Sequence, residues 1–256
     1  MSSGDESSLR GQQDRALELL RRKDLVGAEC AIAQAMAHSA DDPWNHYLFG
    51  RLCDEQGRWD EALNALQIAA RSLSDDYWDL HERLGRLMSA AGRWREAVEE
   101  LTKAIGAARH DKPWVRQLRA QAFARLGLAD EALEDMLQAH RLYAGYSFRK
   151  ADQAREELVQ IYRQLLELAR AAWRRGQTEQ ALCLLRALAA REGLANETGC
   201  LLEIQLLLAK GLHVQGQFDE AAAAYQRAYG LEKERRKKRE ILVNLGLCHL
   251  RESRVT

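Results

Sequence analysis

Apolar residues recur along this chain at helical rather than strand spacing, and one short pattern interrupts them again and again. It reads Gly57-Arg-Trp-Asp-Glu-Ala-Leu63 and returns as Gly92-Arg-Trp-Arg-Glu-Ala-Val98, Gly127-Leu-Ala-Asp-Glu-Ala-Leu133, Gly176-Gln-Thr-Glu-Gln-Ala-Leu182 and Gly216-Gln-Phe-Asp-Glu-Ala-Ala222. Each copy predicts a helix end, a tight turn with a left-handed glycine, and the start of the next helix. The acidic residues Asp60, Glu61, Glu96, Asp130, Glu131, Glu179, Asp219 and Glu220 then fall in a first turn, where the helix dipole favours negative charge. The small residues Ala62, Ala97, Ala132, Ala181 and Ala221 let the two helices of one hairpin approach closely.

Leu17, Leu19 and Leu20 open the first amphipathic pattern, and a weaker turn follows at Lys23. From Lys23 the turns advance by 34, 35 and 35 residues to Gly127, then by 49 to Gly176 and 40 to Gly216. The long step predicts one extended helix, from Phe148 to Arg175 with Ser147 as its cap, projecting beyond its neighbours or covering an edge. The 40-residue step implies an inserted loop near 192–198. A last helix is expected over Ile241–Leu250, polar on its outer side as an array's cap should be.

These periods and residues resemble the tetratricopeptide repeat (TPR) family. The family's helix-pair positions are held by His46, Phe49, Gly50, Cys53, Ala62 and Leu66 in one repeat, and by His81, Leu84, Gly85, Met88, Ala97 and Leu101 in the next. Arg119, Ala120, Phe123, Ala132 and Met136 follow, then Ala169, Ala172, Ala181 and Leu185, then Ala209, Leu212, Ala221 and Tyr225. The family's first Trp and final Pro are absent. The resemblance, over about 9–250, implies an all-α, right-handed TPR helical-repeat solenoid (α-α superhelix), with about six helix pairs and a C-terminal capping helix. Residues 1–8 read as a disordered polar leader, 9–145 as an N-terminal subdomain of about four repeats, and 146–256 as a C-terminal subdomain.

Composition narrows function mainly by exclusion. The 256 residues are 46% hydrophobic and 30% charged with zero formal net charge, so nothing favours broad adhesion to nucleic acid or an anionic membrane. No apolar run is long enough to span a bilayer. Five cysteines without a CxxC pair read as reduced, mostly buried residues, which suits a cytoplasmic location. No phosphate loop, HExxH, GxSxG or paired-Cys motif is present, so the chain is expected to be non-enzymatic, with no cofactor and no metal. His46 and His81, 35 residues apart, read as packing residues in place of the family's Trp.

The resemblance puts a binding groove along the first helix of each pair. Residues directly after the buried Gly or Ala then face it: Arg51, Arg86, Gln121, Arg170 and Lys210, joined at helical spacing by Tyr47, Asp54, Glu55, Glu82, Arg125, Trp173 and Arg174. The expected role is a scaffold or adaptor that binds a peptide or helical segment of acidic character, Arg being suited to bidentate carboxylate contacts. Trp59 and Trp94 are expected in the core, and Trp44, Trp78 and Trp114 at helix junctions. A chaperone-tail carboxylate clamp is not matched, since its places hold Tyr47 with Arg51, then Arg83, then Trp114 with Leu118. A regulatory, sensor or chaperone-like module stays open as an alternative, as does self-association through solenoid ends. RNA binding through the 233–239 basic run is a weaker alternative, that run reading first as a solvated connection between helices.

Overall fold

In a computed structural model, residues 3–145, 147–197 and 199–252 are described. They form helices α1 (Ser3–Arg21), α2 (Leu25–His38), α3 (Pro43–Glu55), α4 (Trp59–Ala70), α5 (Trp78–Ala90), α6 (Trp94–Ala107), α7 (Pro113–Leu126) and α8 (Ala129–Ala144). These are followed by α9 (Phe148–Arg174), α10 (Thr178–Ala189), the short α11 (Glu192–Glu197), α12 (Leu201–Val214), α13 (Phe218–Leu231) and α14 (Arg235–Glu252). No strand occurs among the described residues.

The repeated turn closes each helix in one way. Gly57, Gly92, Gly127, Gly176 and Gly216 all have φ between 74° and 76°, and Lys23 takes the same left-handed role at 60°. The next residue's N–H reaches back to a carbonyl one turn up, as Arg58 to Cys53 at 2.8 Å, Arg93 to Met88 at 2.9 Å and Gln217 to Leu212 at 2.9 Å. This is the Schellman closure, which satisfies carbonyls the helix end would leave orphaned. Arg58 and Arg93 also donate to Glu61 and Glu96, each at 2.7 Å from Nε, tying the turn to the following helix.

Two compact units result, Met1–Ala122 and Phe123–Thr256, so α8 groups with α9 rather than with the preceding pairs. In the first unit α1 packs with α2, α3 with α4 and α5 with α6. Gly50 and Gly85 let the hairpins close, the Leu66 and Leu101 side chains standing where a Cβ would be. Helix α1 starts at Ser3, inside the stretch expected to be disordered, and its buried stripe of Leu9, Gln13, Ala16 and Leu20 begins just after that stretch. Asn45 is buried, donates to Ala35 O and Ser39 O at the end of α2, and accepts from Gln13.

The second unit is built around α9. Its buried positions run from Ala151 through Leu158, Tyr162 and Leu165 to Ala172, so the long helix does not project: its start packs on Tyr143 of α8 and its later turns on α10. The Tyr162 hydroxyl donates to Leu188 O at 2.9 Å.

Several expectations need correction. The 192–197 segment is helical rather than a loop; Thr198 lies outside the described residues. Helix α14 begins at Arg235, so the basic run forms its first turns instead of a connection. Its outer side carries Leu242, Val243 and Leu247, all exposed, and is not the polar back of a cap. Trp59, the first residue of α4, is 62% exposed, whereas Trp94, at the same place in α6, is half-buried against the core. Of the cysteines only Cys53 and Cys248 are buried; Cys30 and Cys183 are exposed, lying on outer faces of α2 and α10.

Candidate functional site

The groove-facing positions fall into two constellations, one in each unit, and a few outliers. In the first unit α3 and α5 set Tyr47, Arg51 and Asp54 against Asp79, Glu82, Arg83 and Arg86. Asp79 accepts from the Tyr47 hydroxyl at 2.6 Å and from Arg83 Nε at 3.1 Å. Asp54, with a side chain only 5% exposed, accepts from Arg83 Nη1 at 2.7 Å and pairs with Arg86. Arg51 leans on the Tyr47 ring, 5.6 Å from its centroid, with Nη1 3.4 Å from the hydroxyl. Trp44 and Tyr77 extend the aromatic edge, ring centroids 4.7 Å and 5.5 Å apart from Tyr47 to Trp44 and Trp44 to Tyr77.

This face is therefore an interlocked ion-pair network rather than a basic stripe. Burial pushes the Tyr47 hydroxyl's pKa up, and the Asp79 charge beside it adds to the shift. Burial also opposes ionisation of Asp79, but Arg83, the Tyr47 hydroxyl and Arg51 outweigh it and hold the carboxyl below its usual range. Glu82 goes the other way: burial raises it, and Arg86 and Arg83 only partly compensate. Three arginines here face three carboxylates, so the cations found from sequence are largely spent on partners one repeat away. Sequence reasoning did not place Asp79 or Arg83 in the groove, although both lie three or four residues from Glu82 or Arg86 on the same helix.

In the second unit Arg170 is similarly held, donating through Nε to Glu203 at 2.7 Å and pairing further with Glu203 and Glu167. Trp173 is half-buried, its ring against Gly211. Arg125 and Arg174 both line an open groove of about 590 Å³, with Arg163, Gln164 and Glu167 on its walls and Ala124, Leu168 and Ala171 as its apolar lining. Arg163, Glu167, Ala171 and Arg174 are spaced by three or four residues along α9, which is the signal that could have found them: the extended helix continues the stripe towards its N-terminus. Gln121 and Lys210 are exposed, and neither lines this groove. Glu55 is exposed near Arg83, at 3.9 Å.

The histidines separate. His81 is buried, 1% exposed, and its Nδ1 lies 2.7 Å from Glu100 Oε2, with Nε2 3.5 Å from Asp75. His46 is half-buried. Trp78 and Trp114 meet edge to face at 6.4 Å with Lys112 over both rings, a junction contact as expected.

Comparison with known proteins bears on the repeats. No curated protein sequence gives a significant match. Among solved structures, an O-GlcNAc transferase mutant from Thermobaculum terrenum is 22% identical over 56% of this chain and 28% of that one, with a TM-score of 0.48. This chain thus spans little more than a quarter of that protein. A tetratricopeptide repeat protein from Parabacteroides merdae is 16% identical, covering 93% of this chain and 99% of that one, also at 0.48. A Podosopora anserina putative kinesin light chain with nearly identical TPR-like repeats is 20% identical over 77% and 99%, again at 0.48. Family profiles described as tetratricopeptide repeat match residues 11–84, and residues 166–230 and 206–256. Those matches span more than half of the sequence, and the chain belongs to the tetratricopeptide repeat family.

Proposed function

We propose that this protein is a non-enzymatic interaction scaffold that captures a peptide or helical segment of acidic character, and that the capture site is the groove between the end of α7 and the outer face of α9. TPR repeats support protein–protein interaction in general. The observation that carries the finer reading is the lining of that groove, where Arg163 and Arg174 are exposed at the rim with Arg125, Glu167 is paired with Arg170, and Ala124, Leu168 and Ala171 form an apolar floor. Apolar anchors on the floor would supply affinity, and guanidinium groups at the rim would select carboxylates by paired, planar hydrogen bonds. A floor set on two packed helices is already ordered, so the receptor loses little entropy on binding.

The first unit's face is a poorer candidate for the same ligand. An incoming carboxylate there must compete with Asp54 and Asp79 for Arg83, Arg86 and Arg51. Charge reversal at Arg51 or Arg86 would accordingly report on folding as much as on binding. The informative variant is Arg163→Glu with Arg174→Glu, at exposed positions. Its affinity for a fluorescein-labelled, leucine-containing polyglutamate peptide, read by fluorescence anisotropy, is expected to fall by at least about tenfold, with the circular dichroism spectrum unchanged. Equal affinity in wild type and variant would sink the assignment. A cytoplasmic location belongs to the same proposal.

A further inference from the structure

Helix α14 is shaped like the first helix of a hairpin and has no second helix in front of it among the described residues. Its inner side, Ile241 and Cys248, is buried on α13. The opposite side carries Arg235, Arg236 and Arg239 in its first turns, then Leu242, Val243, Gly246 and Leu247, and all of them are exposed. Helical geometry gathers these seven into one stripe. Val243 is 63% exposed and Leu242 and Leu247 are 45% and 43%, a contiguous apolar run of the kind that marks a contact surface.

The chain's own hairpins show what such a surface receives. At Gly50 the point where a Cβ would stand lies 2.6 Å from Leu66 of the next helix, and at Gly85 it lies 2.4 Å from Leu101. Each glycine is a notch filled by a leucine four residues after the alanine of the repeated turn, Ala62 with Leu66 and Ala97 with Leu101. Gly246 follows Leu245 as Gly85 follows Leu84, and nothing lies within 4 Å of the equivalent point. The notch is made, and no described residue fills it.

We propose that α14 accepts an amphipathic helix of a partner protein, docked antiparallel where a second helix sits in this chain's own hairpins, with a leucine on Gly246 and carboxylates near its C-terminal end facing Arg235, Arg236 and Arg239. The steric argument fixes a small-to-large match at Gly246, and the charge argument selects the partner. A second copy of α14 brings the same charge, six Arg and Lys side chains against Glu240 and Glu252, so two copies repel. An acidic helix end meets opposite charge on the same stripe.

The probe is a fluorescein-labelled peptide of the α6 sequence, Trp94–Ala107, which carries Ala97 and Leu101 at the required spacing, extended at its C-terminus by a run of glutamates. Saturable binding to the full chain is expected by fluorescence anisotropy. Gly246→Leu, which fills the notch, and Leu247→Glu should each weaken it at least about tenfold, and so should exchanging the glutamates for lysines. Gly246→Leu introduces a side chain into open space at a residue without positive φ, so the fold is retained and circular dichroism melting checks it. The measurements are made in the Arg163→Glu, Arg174→Glu chain, whose α9 groove no longer competes for an acidic helix, which separates failure here from failure of the groove assignment. The proposal is overturned if the peptide does not saturate, if both α14 variants bind it normally, or if sedimentation velocity shows a wild-type dimer that Leu247→Glu dissolves, since a second copy then occupies the stripe.

Discussion

Asp79 and Glu82 sit one helical turn apart in the same half-buried network, yet their protons are held with opposite signs. Asp79 is kept ionised below the usual carboxylate range, so the stability it contributes is present above its unfolded pKa and is lost as pH falls through the depressed folded value. Glu82 is raised by burial, so its contribution is greatest below the ordinary carboxylate value and is lost as pH rises through the folded one. At neutral pH Asp79→Asn should therefore cost about 1–3 kcal/mol, because Arg83 and the Tyr47 hydroxyl lose a charged acceptor. Glu82→Gln should be neutral or stabilising. Denaturant melts from neutral to acid conditions would show the Asp79→Asn deficit shrinking below about pH 4. A deficit that does not change with pH would mean that Asp79 acts through packing alone.

At the turns the backbone matters more than charge. Gly92 has φ of 74° and open space around its Cβ position, so Gly92→Ala isolates the conformational cost. A loss of about 1–2 kcal/mol is expected in thermal or urea unfolding, with Gly92→Asn milder because Asn tolerates the left-handed region.

At the scale of elements, two glycines at matching places in their helices make a contrasting pair. Gly85→Ala drives a methyl to 2.4 Å from the Leu101 side chain and 3.2 Å from Ala97 O, so the α5–α6 hairpin must open at a cost of about 1–3 kcal/mol. Gly246→Ala meets nothing and should stabilise α14 by about 0.5–1 kcal/mol through helix propensity. Urea midpoints moving in the same direction for both would refute the reading of Gly246 as an unfilled notch.

The elements themselves were largely legible because their punctuation is local. A left-handed glycine, an acidic first turn and a cap such as Ser147 each act within a few residues, and α9 was bounded to within one position on that basis. Side-chain pairing was not legible. Whether Arg86 faces ligand or Asp54 depends on a residue 32 positions away in the preceding repeat. Arg125 and Arg174 fall on one groove where the ends of α7 and α9 lie side by side, a juxtaposition between helices that no local pattern announces. Trp59 was misplaced for a related reason: periodicity places a residue on a face, but only the neighbouring helix decides whether that face is covered at the helix's first turn.

For the whole molecule, the repeat organisation makes stability a matter of nearest neighbours. Within the second unit α9 packs against both α8 and α10, and α12 against α10 and α13, whereas α14 rests mainly on α13. Its outward leucines and valine leave a large part of their surface to solvent and so add little to folding. Opening α14 alone therefore exposes a short buried contact centred on Ile241 and Cys248, while opening α9 disrupts a buried row from Ala151 to Ala172. Native-state hydrogen exchange should accordingly show α14 amides exchanging through a local opening well below the free energy of unfolding, and the α9 and α12 amides exchanging near it. Adding the acidic-ended helical peptide at saturating concentration to the Arg163→Glu, Arg174→Glu chain should slow the α14 amides selectively, because a ligand stabilises only the state that binds it. Protection of α14 as high as that of α9 in the free chain would show that stability here is shared across the unit rather than passed between adjoining helices.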